Sequence, residues 1–460
     1  QPRLGFAWDV TGSHRTVARG GFGITYDRYQ SGITGFGATN PPFVLSPALQ
    51  FGFLQDINSS GGALSPLAVA GVNKVSEFPT IYSFSMGVQH NLGGGTVIDV
   101  AYVGSQSRHL ARRNNLNAPA YGAAFRSAAQ DPTKYEDGAI PNREPGLPGI
   151  YGAAGLNFSG TNILGTDFLR PYQGYSDITF YNFDADARYH SLQVSVNRRF
   201  SKGLTFGLAY TLSRTLTTVS DDSTYTNIKD PGKFDYGPAT FDRRHYLTVN
   251  FVWDLPKGSH FAGKAPGARW LLDDWTIAGN TTVASGNPTE LTLSVAGQDA
   301  GNRILGTSTI GNLSGQQPRF LVNGDAQTDG KINPGAFEVP GIGVIGPYPR
   351  FYLRNPGIAN QDLSVFKNFR FGNDGKRMLQ VRCEAFNVFN HRQFSGYNLA
   401  TNVTNGAGQT GAGLFNNYTN LSVTNNIRPA GSSAVLGTYF GEPNAARDMR
   451  IIQLAVKFYF

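Results

Sequence analysis

The sequence predicts an all-β protein, a transmembrane antiparallel β-barrel of about 11 long strands, and three observations lead there. Long segments alternate apolar and polar residues, the connections between them alternate short and long, and the chain stops on an aromatic strand. In a strand, successive side chains face opposite sides. From Ile452 to Phe460, the residues Ile452, Leu454, Val456, Phe458 and Phe460 therefore share an apolar face, while Gln453, Ala455 and Lys457 share a more polar one. A soluble domain seldom ends on the aromatic tip of a strand, because frayed polar residues usually follow.

The hairpin from Tyr189 to Arg214 shows the pattern most plainly. Leu192, Val194, Val196 and Phe200 alternate with Ser191, Gln193, Ser195 and Asn197. After Ser201-Lys202-Gly203, Leu204, Phe206, Leu208, Tyr210 and Leu212 alternate with Thr205, Gly207, Ala209, Thr211 and Ser213. The same reading places strands near 3–10, 16–27, 80–91, 95–104, 242–255, 272–284, 361–371, 376–387 and 449–460. Many reach the roughly 9 to 11 residues that a tilted membrane-spanning strand needs, beyond the five or six common in soluble sheets. In the strand 376–387, Leu379, Val381, Cys383 and Ala385 oppose Gln380, Arg382 and Glu384. Charge on that second face belongs in an aqueous lumen, so Arg382 and Glu384 are the candidate lumen-wall residues.

Connections near 11–15, 92–94, 201–203 and 372–375 are short, the one at 256–271 is intermediate, and those at 28–79, 105–188, 215–241, 285–360 and 388–448 are long. Outer-membrane barrels have short periplasmic turns and long extracellular loops. This alternation predicts that Phe460 lies at the periplasmic side and Gln1 at the extracellular rim. An odd strand count beginning outside predicts that residues 1–460 are the C-terminal part of a larger barrel, with further strands encoded upstream.

Composition agrees. The chain has 57 Gly, 32 Phe and 21 Tyr but only 15% charged residues, which favours strands and turns over helices. The net charge of +8 is spread over single residues and pairs such as Arg112-Arg113, Arg198-Arg199 and Arg243-Arg244, so no nucleic-acid partner is expected. Cys383 is the sole cysteine, which excludes an internal disulfide and a multi-cysteine metal site. No apolar run approaches the ~18 to 20 residues of a transmembrane helix, a test that barrel strands escape.

No catalytic residue, cofactor or metal ligand is expected. Asp221-Asp222 and Asp273-Asp274 are adjacent carboxylates that a strand would point to opposite faces, and they read as solvated rim charge. The seven histidines, His14, His90, His109, His190, His245, His260 and His391, lack metal-ligand spacing. Asp325 to Asn333 spaces oxygen ligands like a calcium loop, but Ala336 stands where a bidentate Glu is required and no helices flank it, so a polar loop is the expectation. Trp8, Tyr26, Trp253, Trp275, Phe458 and Tyr459 lie at strand ends, where interfacial aromatic girdles form.

Six segments in order carry a resemblance: Pro2 to Asp9, Thr16 to Arg28, Ala101 to Ser105 continuing to Arg108-His109-Leu110, Phe241 to His245, Asp362 to Phe369, and Arg382 to His391. With the terminal Phe460 they resemble the C-terminal barrel of Oar-like TonB-dependent receptors. The resemblance implies a 22-stranded barrel in the cell outer membrane, gated by an N-terminal plug that engages the TonB complex, importing a small solute. It also implies that Phe458 and Phe460 form the signal read by the barrel-assembly machinery. The chain departs from that pattern in carrying about half the strands and no plug or TonB-contacting segment, and nothing in it names the solute. The alternatives are a passive porin-like channel and a secreted β-rich adhesion or carbohydrate-binding protein.

Overall fold

The computed structural model describes residues 2–29, 40–44, 67–118, 170–291, 321–338, 351–371, 377–399 and 440–460. Breaks fall at 75–76, 202, 222–224, 228–229, 261–266 and 329–330, and residues 33, 35 and 38 are described singly. Eleven long strands run in chain order through one antiparallel sheet. They are β1 (Arg3–Asp9), β2 (Thr16–Tyr26), β3 (Thr80–Gly93), β4 (Thr96–Asn115), β5 (Tyr175–Ser201), β6 (Leu204–Thr217), β7 (His245–Asp254), β8 (Trp275–Ala284), β9 (Ile358–Phe371), β10 (Arg377–Phe386) and β11 (Ile451–Tyr459). Each pairs with the next, and β1 and β11 each have one neighbour among the described strands.

Residues directly opposite one another in a sheet share a face, so the register decides what each face contains. One row reads Leu204, Trp253, Ile277, Val365, Cys383 and Leu454 from β6 to β11. Another reads Met86, Tyr102, Leu192 and Leu212 from β3 to β6. These lie on the apolar face, together with Leu4, Phe6 and Trp8, which are exposed. The opposite face is polar: Asn197, Gly207, Asn250, Asn280 and Asp362 form one row from β5 to β9. Farther along the polar face, Arg19 on β2 pairs with Asp99 on β4.

Glycine and phenylalanine complement each other on the apolar face. Gly20, Gly104 and Gly279 lie directly opposite Phe6, Phe84 and Phe251, and those rings occupy the space a Cβ would take. A strand glycine loses side-chain packing, and a neighbouring ring laid over it restores that packing.

The two ends of the sheet differ. At the short-turn end, the turn from β3 to β4 passes through Gly93, Gly94 and Gly95, all at positive φ, which a side chain would disfavour. The connection from β7 to β8 carries a short helix, α2 (Ala268–Leu272), preceded by Gly267 at φ +83°, the helix before it, α1 (Pro231–Phe234), lying in the long connection from β6 to β7. Sequence alternation places the start of β8 at 272, but good helix formers Ala268 to Leu272 wind there first and the strand begins at Trp275. Asp273 closes this connection: its carboxylate accepts from the Ser259 amide and the Ser259 hydroxyl, both at 2.9 Å. It is a buried fastening residue rather than the solvated rim charge the sequence predicts.

At the long-connection end, β4 and β5 continue well past the expected boundaries of 104 and 189, reaching Asn115 and starting at Tyr175. Residues Leu67–Val72 run parallel to the first part of β5. Arg112 makes a two-point ion pair with Asp184 across β4 and β5, and also donates to Asn114 at 2.7 Å. Asn117 donates to the carbonyls of Tyr172, Tyr175 and Ser176 at 2.7–2.9 Å, and Arg170 reaches Asp177 at 2.9 Å. Hydrogen bonding of polar side chains works there beside an apolar cluster, in which Ile33, Tyr181 and Phe183 are buried against Tyr29, Val72 and Ala111. The turn at 372–375 and the polar stretches around 401–406 and 431–433 fall outside the described residues.

Two predictions follow from these contacts. Gly104→Ala forces Phe84 to move and should lower stability by about 1–3 kcal/mol, read as a reduced denaturant midpoint; Phe84→Leu should weaken that effect. Hydrogen bonding by the Ser259 amide holds the Asp273 carboxyl below its ordinary 3.8, opposed by desolvation and reinforced by the Ser259 hydroxyl and the charges of Lys257 and His260. A carboxylate depressed in the folded state stabilises at neutral pH, and that contribution is lost as pH falls through the depressed value. Carbon-13 titration of Asp273 should show a midpoint below 3.8 that moves back toward it in Ser259→Ala.

Candidate functional site

The polar face of β4 to β7 holds a cavity of about 510 Å³. That size suits a small solute. Ser105, Tyr189, Thr211, Ser213 and Tyr246 line it, together with Arg243 from the segment leading into β7. The wall is rich in hydroxyl groups and carries aromatic edges and two arginines, Arg188 and Arg243, with no carboxylate among its lining residues. Such a surface can donate and accept hydrogen bonds and stack a flat apolar group.

Side chains from the long-connection end hold this wall in place. The Ser213 hydroxyl donates to the Arg243 carbonyl at 2.7 Å, and the Arg243 guanidinium donates to the Ser285 carbonyl at 2.8 Å. Beside them Asp242, 1% exposed, accepts from the Thr215 amide at 2.6 Å and pairs with Arg354. Arg354 in turn donates to the Gly286 carbonyl at 3.1 Å, so this pair ties the ends of β6, β7, β8 and β9 together. No periodic signal marks Asp242 in the sequence. Only its place in the Phe241-Asp242-Arg243-Arg244-His245 segment singles it out.

Arg382 and Glu384 lie on the polar face of β10, as expected. Arg382 donates from Nε to Gln380, stacks 4.7 Å from the Phe366 ring centroid, and stands 4.0 Å from Glu384. Gln380 continues the chain to Asn368 at 2.8 Å. They belong to a bonded patch of wall on β9 and β10 and do not line the cavity. Phe458 and Phe460 stack at 6.1 Å on the apolar face of β11.

The segment Ala385 to His391 builds a turn rather than a binding surface. Asn387 and Asn390 adopt φ of 49° and 53°, a conformation asparagine tolerates. The Asn387 amide donates to Asp362 at 2.9 Å, its side chain accepts from the His391 amide at 3.0 Å, and Asn390 accepts from the Arg450 amide at 3.1 Å. The turn thereby fastens β9 and β10 to the entry of β11.

The histidines make local bonds. Tyr102 bonds His190 at 2.7 Å, Tyr210 bonds His245 at 2.9 Å, and Thr16 bonds His90 at 2.9 Å. No group of three or more metal-ligating side chains occurs among the described residues. Around the weighed calcium loop, Gln327–Thr328 and Lys331–Ile332 form a small hairpin, and Asn333 donates to the Asp325 carbonyl at 3.3 Å. Asp329 and Asp222 lie outside the described residues.

A long-stranded antiparallel sheet with one apolar and one polar face defines an outer-membrane barrel protein. Residues 1–432 match the outer membrane beta barrel domain family, and the chain belongs to it. The protein is accordingly placed in the outer membrane, which makes the apolar face its lipid-facing surface and sets aside the secreted alternative. No curated protein matches the chain.

Among solved structures, the outer membrane transporter YddB from Escherichia coli aligns at 10% identity and a TM-score of 0.40, over 88% of this chain and 38% of that one. The ferripyoverdine receptor of Pseudomonas aeruginosa aligns at 10% identity and a TM-score of 0.37, over 86% and 30%. The FrpB iron transporter from Neisseria meningitidis aligns at 9% identity and a TM-score of 0.35, over 86% and 35%. The chain thus spans about a third of the length of these proteins.

Removing one partner of a buried ion pair leaves the other uncompensated, at about 3–5 kcal/mol. Asp242→Ala should therefore loosen the long-connection end, with faster proteolytic cleavage between residues 285 and 354. Pairing it with Arg354→Met should restore part of the resistance.

Proposed function

We propose that this chain is the C-terminal barrel portion of an Oar-like TonB-dependent receptor, and that its polar face lines a lumen through which a solute enters. The observation that carries the reading is the segregation of mainly polar from mainly apolar residues onto opposite faces of eleven paired strands, joined by alternately short and long connections. In this reading the short-turn end is periplasmic and the long-connection end extracellular. Strands and a plug encoded upstream complete a 22-stranded barrel, and the plug meets the TonB complex. Phe458 and Phe460 engage the barrel-assembly machinery.

The cavity on β4 to β7 is the solute-facing part of the wall. Its hydroxyl groups, Tyr189, Tyr246, Arg188 and Arg243 suit a polar solute that is neutral or anionic, because the lining holds two arginines and no carboxylate, the nearby Asp242 being taken up by Arg354. Arg382 and Glu384 serve as polar lumen wall, held by Gln380 and Phe366, rather than as solute ligands.

Fractionation tests the membrane part of this reading. The protein should stay with outer membranes through carbonate and high-salt washes and migrate differently on gels with and without heating. Release by either wash would overturn it. For the solute wall, Arg243→Gln should reduce uptake of an anionic solute by about tenfold, the equivalent of one charge-assisted hydrogen bond.

A further inference from the structure

The connection from β7 to β8 has a property that a periplasmic turn does not need. It runs from residue 255 to 274, where a hairpin closes with roughly two to five residues, and it displays three consecutive apolar side chains to the exterior. Trp270, Leu271 and Leu272 on α2 are 55%, 59% and 39% exposed. The Trp270 ring also lies 4.6 Å from the ring of Phe369, which stands on the lipid-facing side of β9 opposite Leu379. The exposed patch is therefore continuous with the lipid-facing surface.

The patch is held outward. Behind α2 the turn Gly258–His260 packs so closely that a Cβ at Gly258 would meet Leu272 at 3.0 Å. Ser259 grips Asp273 after the helix, and the Trp275 indole donates to the Leu271 carbonyl at 2.9 Å. Lys367 sits on the lipid-facing side between Trp275 and Val381, and its ammonium reaches back to the carbonyls of Asp273 and Asn368. A lysine that curls toward the rim, with tryptophans beside it, marks the level of the membrane interface. Lys257 and Arg269 add positive charge in the same connection, which also carries Asp273 and Asp274.

We infer that α2 is an in-plane membrane anchor: Trp270, Leu271 and Leu272 insert among phospholipids of the periplasmic leaflet, next to the base of β8 and β9. This inference rests on the barrel reading and its sidedness. The occupant is phospholipid because the patch extends a surface that already faces lipid. An interfacial helix of this kind binds through buried apolar area and attraction to anionic headgroups.

Spin-label accessibility in the intact protein tests it. Cys383 is replaced by Ser, and a single nitroxide-bearing cysteine is placed by Leu271→Cys, Val249→Cys on the lipid-facing side of β7, or Ser13→Cys in the exposed β1–β2 turn. Each is reconstituted in vesicles of phosphatidylethanolamine and phosphatidylglycerol. Collision rates with oxygen, which favours lipid, are compared with those of a water-soluble nickel chelate. The expected oxygen-to-nickel ratio at position 271 is several-fold above that at 13 and below that at 249. A ratio at 271 equal to that at 13, with 249 still high, overturns the anchor and leaves the barrel intact. A low ratio at 249 overturns the barrel reading, and the anchor falls with it.

Discussion

A peptide group that enters hydrocarbon must bring its hydrogen-bond partner with it, because lipid offers none. This constraint organises the whole molecule. It requires long strands paired without interruption, and the sheet meets it with eleven of them in simple chain order. Once register is fixed by pairing, each strand position is committed to one face, and a slip of one residue would send Asn250 and Asp362 into lipid. The apolar and polar rows are thus two results of a single geometric decision.

The same constraint explains why the ends are built differently from the middle. Within the band, cross-strand apolar contacts and ring-over-glycine packing suffice. Beyond it, the outer parts of β4 and β5 combine the apolar cluster of Ile33, Tyr181 and Phe183 with polar fastening by Arg112 with Asp184, Asn117 with three carbonyls, and Asp242 with Arg354. At the opposite end, Asp273 and Ser259 perform the equivalent task for the one elaborate turn.

Sequence alone reveals the strands because a half-lipid, half-water environment imprints a period of two, and nearly every strand lies within a few residues of its expected place. It underestimates β4 and β5 because the outer part of β5 buries Tyr181 and Phe183 on one face and carries Ile178 and Phe180 on the other, so the apolar-polar alternation that marks a strand disappears there. Five residues of α2 are too few to show a helical period. Asp242 and Asp273 are single acids in connections, indistinguishable from solvated charge until the partners that surround them are known. Alternation alone puts Arg382 and Glu384 on the polar face, where the register has them, whereas it does not reveal the cavity, since its lining comes from four strands whose neighbours only the register identifies.

The edges of the sheet set a further condition, one of timing. β1 and β11 each carry a full row of peptide groups with no second neighbour among the described strands. Each unpaired group costs several kcal/mol in hydrocarbon. Strands added to the membrane one at a time would expose a fresh bare edge at every step. In the barrel reading, any strand that meets these edges must therefore bring its own peptide groups ready to pair, so insertion and edge pairing are coupled.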